Sequence, residues 1–195
     1  MKHLALFDFD GTITEKDTLL EIAKFSTSRA NFVVKSLFLI PSIVLMKVGI
    51  ISNQKGKEIF LKKFFKGYSE QAFNQKCAEF AKNEIPKLIR PLALARIEEE
   101  QSNGNKVYIV SASPDTWIKP WAEQYNIEVI STRLKFENDR LKGIDGINCN
   151  GEEKVRRIKE EIDLTDYQKV IAFGDTKGDL PMLALAEESH YKPFQ

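Results

Sequence analysis

Two carboxylates one residue apart, Asp8 and Asp10, stand in Asp8-Phe9-Asp10-Gly11-Thr12, directly after the unbroken apolar run Leu4-Ala5-Leu6-Phe7. Side chains alternate along extended backbone, so both acids can point the same way beyond the end of a strand. Asp175 and Asp179 follow Lys169-Val170-Ile171-Ala172-Phe173-Gly174 in a similar setting. Between these pairs lie a hydroxyl, Ser111, after Lys106-Val107-Tyr108-Ile109-Val110, and a lysine, Lys154, near the start of a helix predicted over Glu152 to Glu161. Clustered carboxylates without histidine are hard oxygen ligands that suit Mg²⁺. A hydroxyl and an ammonium beside such a metal form a receptor for a phosphoryl group.

Other chemistries are excluded by what the chain lacks. Its two histidines, His3 and His190, lie at opposite ends of the 195 residues and leave no imidazole base for a Ser–His or Cys–His enzyme. Cys77 and Cys149 form no CxxC, which argues against a disulfide scaffold or a thiolate zinc site and fits a reducing compartment. Twenty-nine Lys and Arg against 28 Asp and Glu give a net charge of +1, so no global field draws the chain to nucleic acid or to an anionic membrane. Any such attraction must be local. The first eight residues reach an acid before a signal-peptide apolar region could form, so a cytoplasmic location is expected.

The elements that must position these groups follow from the apolar runs. Each short run passes into a polar loop and then into helical sequence, the rhythm of an α/β parallel sheet covered on both faces. Ligands of such sheets bind beyond the carboxyl ends of the strands, where the acids fall. A further strand is expected near Glu128 to Ser131, and a hairpin from Arg133-Leu134-Lys135-Phe136 and Arg140-Leu141-Lys142-Gly143 about Asn138-Asp139. A helix is expected from Pro91 to Gln101, ended by Asn103-Gly104-Asn105.

From Glu15 to roughly Asn83 the sequence reads as several helices, a candidate insertion. Phe60, Leu61, Phe64, Phe65 and Tyr68 make a helical apolar stripe, with Lys57, Lys62, Lys63 and Lys66 assigned mostly to a solvated face. Phe32 to Ile51 is the most hydrophobic stretch, but Lys35, Lys47 and Pro41 interrupt it, and a span needs about 20 predominantly apolar residues. A buried helical hairpin is expected there. An interfacial surface dipping into lipid is the alternative.

Taken in order, Asp8-Phe9-Asp10-Gly11-Thr12, Ser111, Lys154 and Gly174-Asp175-Thr176-Lys177-Gly178-Asp179 resemble the four motifs of the haloacid dehalogenase-like superfamily. A helical insertion directly after the first motif resembles the type 1 cap of the phosphoserine phosphatase-like branch, subclass IB. Ser111-Ala112-Ser113-Pro114, Cys149-Asn150-Gly151-Glu152-Glu153-Lys154 and Asp179-Leu180-Pro181-Met182-Leu183 look like a subgroup that includes bacterial phosphatidylglycerophosphatase C. The resemblance implies a three-layer Rossmann-like core of residues 1–14 and 85–195, with a helical cap of residues 15–84. It implies that Asp8 is a nucleophile forming an aspartyl-phosphate and that Asp10 is the general acid and base. Asp8, Asp175 and the backbone carbonyl of Asp10 would hold Mg²⁺, with Asp179 supporting them from behind. Ser111, Lys154 and Thr12 would bind phosphate.

Blander roles stand beside each assignment: paired acids close turns, serines cap helices, and lysines sit on solvated faces. Cys149 is assigned to packing. Phosphoserine enzymes of the branch carry a glutamate where Asp17 stands and a cap arginine where Leu61 stands, which ranks phosphoserine second as a substrate. A phosphatidylglycerophosphate-like lipid headgroup ranks first, other phosphorylated small molecules compete, and peripheral contact of the cap with the inner face of the membrane accompanies the lipid reading. The rival from another class is a non-catalytic phosphate- or membrane-sensing module.

Overall fold

The strand β1, Leu4–Phe7, is fully buried, and its side chains divide between two apolar clusters. Ala5 and Phe7 enter one, Leu4 and Leu6 the other. A strand can be apolar at every position only when both faces of its sheet are covered, so β1 occupies the middle layer of three. The computed structural model describes residues 2–195.

After β1 come five helices: α1 (Thr18–Phe25), α2 (Arg29–Leu37), α3 (Ile40–Lys47), α4 (Asn53–Phe65) and α5 (Glu70–Asn83). The chain continues through α6 (Pro91–Ser102), β2 (Lys106–Pro114), α7 (Asp115–Ala122), β3 (Glu128–Glu137), β4 (Arg140–Asp145), α8 (Glu152–Glu161), β5 (Val170–Gly174), α9 (Leu180–Leu185) and β6 (Glu188–Tyr191). Among the described residues the strands form one sheet in the order β4-β3-β2-β1-β5-β6, parallel except where β4 runs against β3. This is the expected α/β class. The ends of β1, β2 and β5 lie side by side, and the acids, Ser111 and Ser113 emerge there.

Two expected elements differ in extent. The strand near Glu128 and the first hairpin arm are one ten-residue strand, β3, because Ser131 and Thr132 between them are buried and stay in the sheet. Asn138 and Asp139 make the turn with φ of 49° and 58°, a left-handed pair suited to a two-residue hairpin. The edge strand β6 has no apolar run to announce it, yet His190 stacks on Phe173 at 4.7 Å.

Helices α1, α2, α4 and α5 each begin at a side-chain cap, supplied by Asp17, Ser28, Ser52 and Ser69. Leu61, Phe64 and Phe65 of α4 join Phe73, Cys77 and Phe80 of α5 in the same cluster as Phe7 and Trp117. Hydrogen bonds from the β3–β4 hairpin hold these helices to the sheet edge. Asp139 Oδ1 accepts from Glu70 N at 2.7 Å, Arg140 Nη1 donates to Gly67 O at 2.9 Å, and Ile144 N donates to Glu58 Oε1 at 3.4 Å. The pair α2 and α3 breaks with expectation: neither helix holds a buried residue, and only Leu39 at their corner is buried. Among the described residues α1 and α4 pack on its inner side, and its outer side is left uncovered.

Candidate active site

Lys154 decides the geometry of the site. It rises from the first turn of α8 and is only 1% exposed. Its ammonium donates to Asp8 Oδ1, Asp179 Oδ1 and Val110 O, each at 2.6 Å. Three protons meet three acceptors, so the charge is fixed between the ends of β1 and β2 and the turn after β5. Asp179 Oδ2 accepts from Thr176 N and Thr176 Oγ1 and, at 3.2 Å, from Asp175 N, closing that turn. Asp179 thus works as a structural anchor for Lys154 and for the backbone that carries Asp175.

Asp10 is held by a separate set of donors. Thr18 N and Thr18 Oγ1 both donate to Oδ1 at 2.6 Å, and Ser113 Oγ donates to Oδ2. Trp117 Nε1 donates to Thr18 Oγ1 at 3.1 Å and orients that hydroxyl. The pairing of β2 with β3 shifts register between Ser111 and Pro114, a bulge at the point where β2 delivers its serines. Ser111 Oγ accepts from Ser113 N at 3.0 Å, which leaves the Ser111 proton to be donated elsewhere. Thr12, expected among the phosphate ligands, donates to Asp175 Oδ1 at 3.2 Å. Gly11, with φ of 85°, permits the close packing: a Cβ there would come within 2.4 Å of Asp175 Oδ2.

The electrostatics follow from burial. Desolvation pushes the Asp8 carboxyl up to about 7, although the Lys154 ammonium opposes it. Burial also raises Asp10, with Asp17 adding to the effect and the Ser113 and Thr18 bonds resisting it. Asp175 is raised by burial and by the neighbouring Asp179 charge. Burial works against the charge on Lys154, but Asp8 and Asp179 hold it above the ordinary lysine range. Carboxylate oxygens of Asp8, Asp175 and Asp179 lie within 4.8 Å of one another. Three acids around one buried ammonium leave an excess of negative charge, and the donors are all hard oxygens, so the residues fit a divalent cation such as Mg²⁺. Asp179 accepts at both oxygens, from Lys154 and from Thr176, whereas Asp8 meets Lys154 through Oδ1 alone, so Asp8 and Asp175 are the freer side chains. The Asp10 carboxylate is engaged by Thr18 and Ser113 and lies outside this cluster.

Asp8, Asp10, Ser111, Lys154 and Asp175 line one cavity of about 370 Å³, which the α1 and α4 helices close from the other side. From there Lys57 enters the site, a residue that its position among the cap lysines had assigned to solvent. Its ammonium donates to Ala112 O at 2.8 Å and Asn148 Oδ1 at 3.0 Å, and burial lowers its pKa. A signal was present: Lys57 precedes Leu61 by four residues and Phe64 by seven, on the buried stripe rather than opposite it. Ser113 and Thr18 also escaped the sequence reading, because nothing local marks a hydroxyl that orients a distant acid. Cys149 is buried with its thiol pushed up to about 11 by desolvation, in keeping with packing.

Residues 5–184 match the family model for haloacid dehalogenase-like hydrolase. Protein CicA of Caulobacter vibrioides is 35% identical over 198 residues, spanning 98% of this chain and 86% of that protein. The chain belongs to the haloacid dehalogenase-like hydrolase family. A protein of unknown function from Bordetella pertussis Tohama I shares the fold with a TM-score of 0.83 at 19% identity, covering 97% of this chain and 89% of that one. A phospho-aspartyl intermediate analogue of phosphoserine phosphatase gives a TM-score of 0.63 at 21% identity, covering 96% and 85%. At such identities the likeness concerns the fold.

Proposed function

We propose that this chain is a Mg²⁺-dependent phosphatase that hydrolyses a phosphate monoester through an aspartyl-phosphate on Asp8. In this reading residues 1–14 and 85–195 are the catalytic core, and residues 15–84 are the cap that selects the substrate. The observation that carries it is the joint placement of two acids on one cavity: Asp8 held by a buried lysine, Asp10 held by hydroxyls and an amide. When bound by Asp8, Asp175 and the Asp10 carbonyl, Mg²⁺ would offset the repulsion between a carboxylate and a phosphate dianion. The Ser111 hydroxyl would donate to a phosphoryl oxygen, and Lys154, whose protons are held by Asp8, Asp179 and Val110, would reach one by giving up one of those acceptors.

An oxygen of Asp8 attacks phosphorus, the bond to the ester oxygen breaks, and Asp10 gives its proton to the departing alkoxide. The Asp10 carboxylate then takes a proton from water as that oxygen attacks phosphorus. The acyl-phosphate bond breaks, inorganic phosphate leaves, and both acids return to their starting states. An acid that donates near neutrality needs a raised pKa, the direction in which burial moves Asp10. Phosphate release measured over a panel of esters, with Mg²⁺ and then with a chelator, tests the assignment. Turnover retained in Asp8→Asn would overturn it.

For substrate, a phosphatidylglycerophosphate-like ester is favoured by a second cavity of about 440 Å³, lined mainly by apolar groups including Leu39, Ile43, Met46 and Phe60. It shares Leu19 and Lys57 with the catalytic cavity, so a phosphate and an apolar group can be held side by side. Phosphoserine is the second reading, favoured by the fold likeness to a phosphoserine phosphatase. Against it, Leu61 is buried without a charge to offer and Asp17 is occupied in capping α1. A non-catalytic sensing module would have no need of the Asp8 and Asp10 pair.

A further inference from the structure

The α2–α3 hairpin concentrates the exposed apolar surface of the molecule. Of the fifteen exposed large apolar side chains among the described residues, ten lie between Val33 and Ile50. Leu37 is 58% exposed, Phe38 67%, Val48 63% and Ile50 69%. Side chains this exposed contribute nothing to the folded core, and a cluster of them marks a surface that meets something else.

Charge identifies the partner. No Asp or Glu stands between Glu21 and Glu58, while Lys24, Arg29, Lys35, Lys47, Lys55 and Lys57 do. Lys62 and Lys63 of α4, with Lys66 directly after it, border the same face with Val34, Lys35 and Phe38. Among the described residues, Lys35, Lys47, Lys62, Lys63 and Lys66 have no carboxylate within salt-bridge distance. Lys63 instead stands 4.2 Å over the Phe38 ring. Lys35 turns inward and donates to Phe64 O at 3.2 Å, so Lys47, Lys62, Lys63 and Lys66 rim the apolar side chains, a surface that complements a bilayer whose headgroups are anionic. A second copy fits poorly, because a two-fold contact would set these lysines against themselves. Among the described residues no single helix is long and apolar enough to cross a membrane; α2 and α3, of nine and eight residues, reach that length and composition only as a pair bent by 46°, and the lysines along their rim favour a surface position.

We infer that the α2–α3 hairpin docks on the surface of an anionic bilayer, with Phe38, Val44 and Val48 entering the interface and Lys47, Lys62, Lys63 and Lys66 on the headgroups. This goes beyond the phosphatase reading and needs no turnover. The same two helices form the wall of the apolar cavity beside the catalytic one, so docking brings that cavity to the lipid.

Flotation of the full chain with vesicles tests it. The chain floats with vesicles of phosphatidylcholine and phosphatidylglycerol, stays behind with phosphatidylcholine alone, and is released by high salt. Phe38→Asp with Val44→Asp abolishes flotation while hydrolysis of a soluble phosphate ester and far-UV circular dichroism stay unchanged. Should that double variant fold poorly, Lys62→Glu with Lys66→Glu serves, each lysine lost weakening binding by roughly fivefold. Asp8→Asn floats as the native chain does, which separates docking from catalysis. Equal flotation with neutral vesicles, or flotation retained in the folded apolar or charge-reversal variant, overturns the inference. So does a dimer on gel filtration that Phe38→Asp with Val44→Asp dissolves.

Discussion

The catalytic edge and the α2–α3 hairpin use opposite arrangements of polar and apolar groups. At the edge, Lys154 is buried with every proton engaged, and the acids around it are positioned by named donors. On the hairpin, large apolar side chains face outward, and among the described residues Lys35 and Lys47 have no carboxylate within salt-bridge distance. The first region places charge where its partners are built into the fold. The second leaves its partners to be supplied from outside. Stability and function should therefore separate: substitutions at the edge disturb both, and substitutions on the hairpin disturb neither folding nor chemistry on a soluble ester.

The largest contrast is expected from Asp8→Asn, which should lower phosphate release by roughly 10⁴-fold or more, since loss of a nucleophile removes the covalent route. Steady-state turnover of a small ester with Mg²⁺ checks it, and a modest loss would place the nucleophile elsewhere. Lys154→Met comes next. It strands Asp8 and Asp179 without their cation, and breaking a buried pair costs about 3–5 kcal/mol. For a chain of this size that is a fall in Tm of roughly 10 °C, readable by calorimetry; an unchanged Tm would mean the network is not structural.

The third concerns pH in the metal-free chain. The Asp8 carboxyl titrates near 7 in the fold against an ordinary 3.8, so the folded state binds the extra proton between those values. The Asp8 contribution to stability is thus fully present below about pH 4 and is lost as pH rises to about 7, by an amount on the order of a few kcal/mol. Melting curves with a chelator should show that decline, and added Mg²⁺ should raise Tm more at pH 8 than at pH 5. The smallest effect belongs to the hairpin: Val44→Ser, at an exposed position, should change unfolding free energy by less than about 0.5 kcal/mol. A large loss in urea titration would show that the hairpin face is part of the core after all.

What the sequence disclosed follows the same division. Strands β1, β2 and β5 were legible because burial on both faces demands continuous apolar runs, and their terminal acids were legible because polar residues directly after such runs have few structural uses. The edge strand β6 was not, since Glu188 and Ser189 look like loop. Lys57 was hidden by its neighbours: in a helix with Lys62, Lys63 and Lys66, one lysine on the buried face is noticed only by its register with Leu61. The α2–α3 segment misled for a different reason. Apolar composition records what a segment avoids, and water can be avoided by entering a core or by covering another surface.

The tethers from the β3–β4 hairpin have a mechanical consequence. With Asp139, Arg140 and Ile144 fastened to Glu70, Gly67 and Glu58, the helical layer resembles a door hung on its post along that edge. Gln54 and Lys57 extend that fastening to Gly146, Asn148 and Ala112, so a crosslink between α4 and β4 should leave passage of small molecules intact.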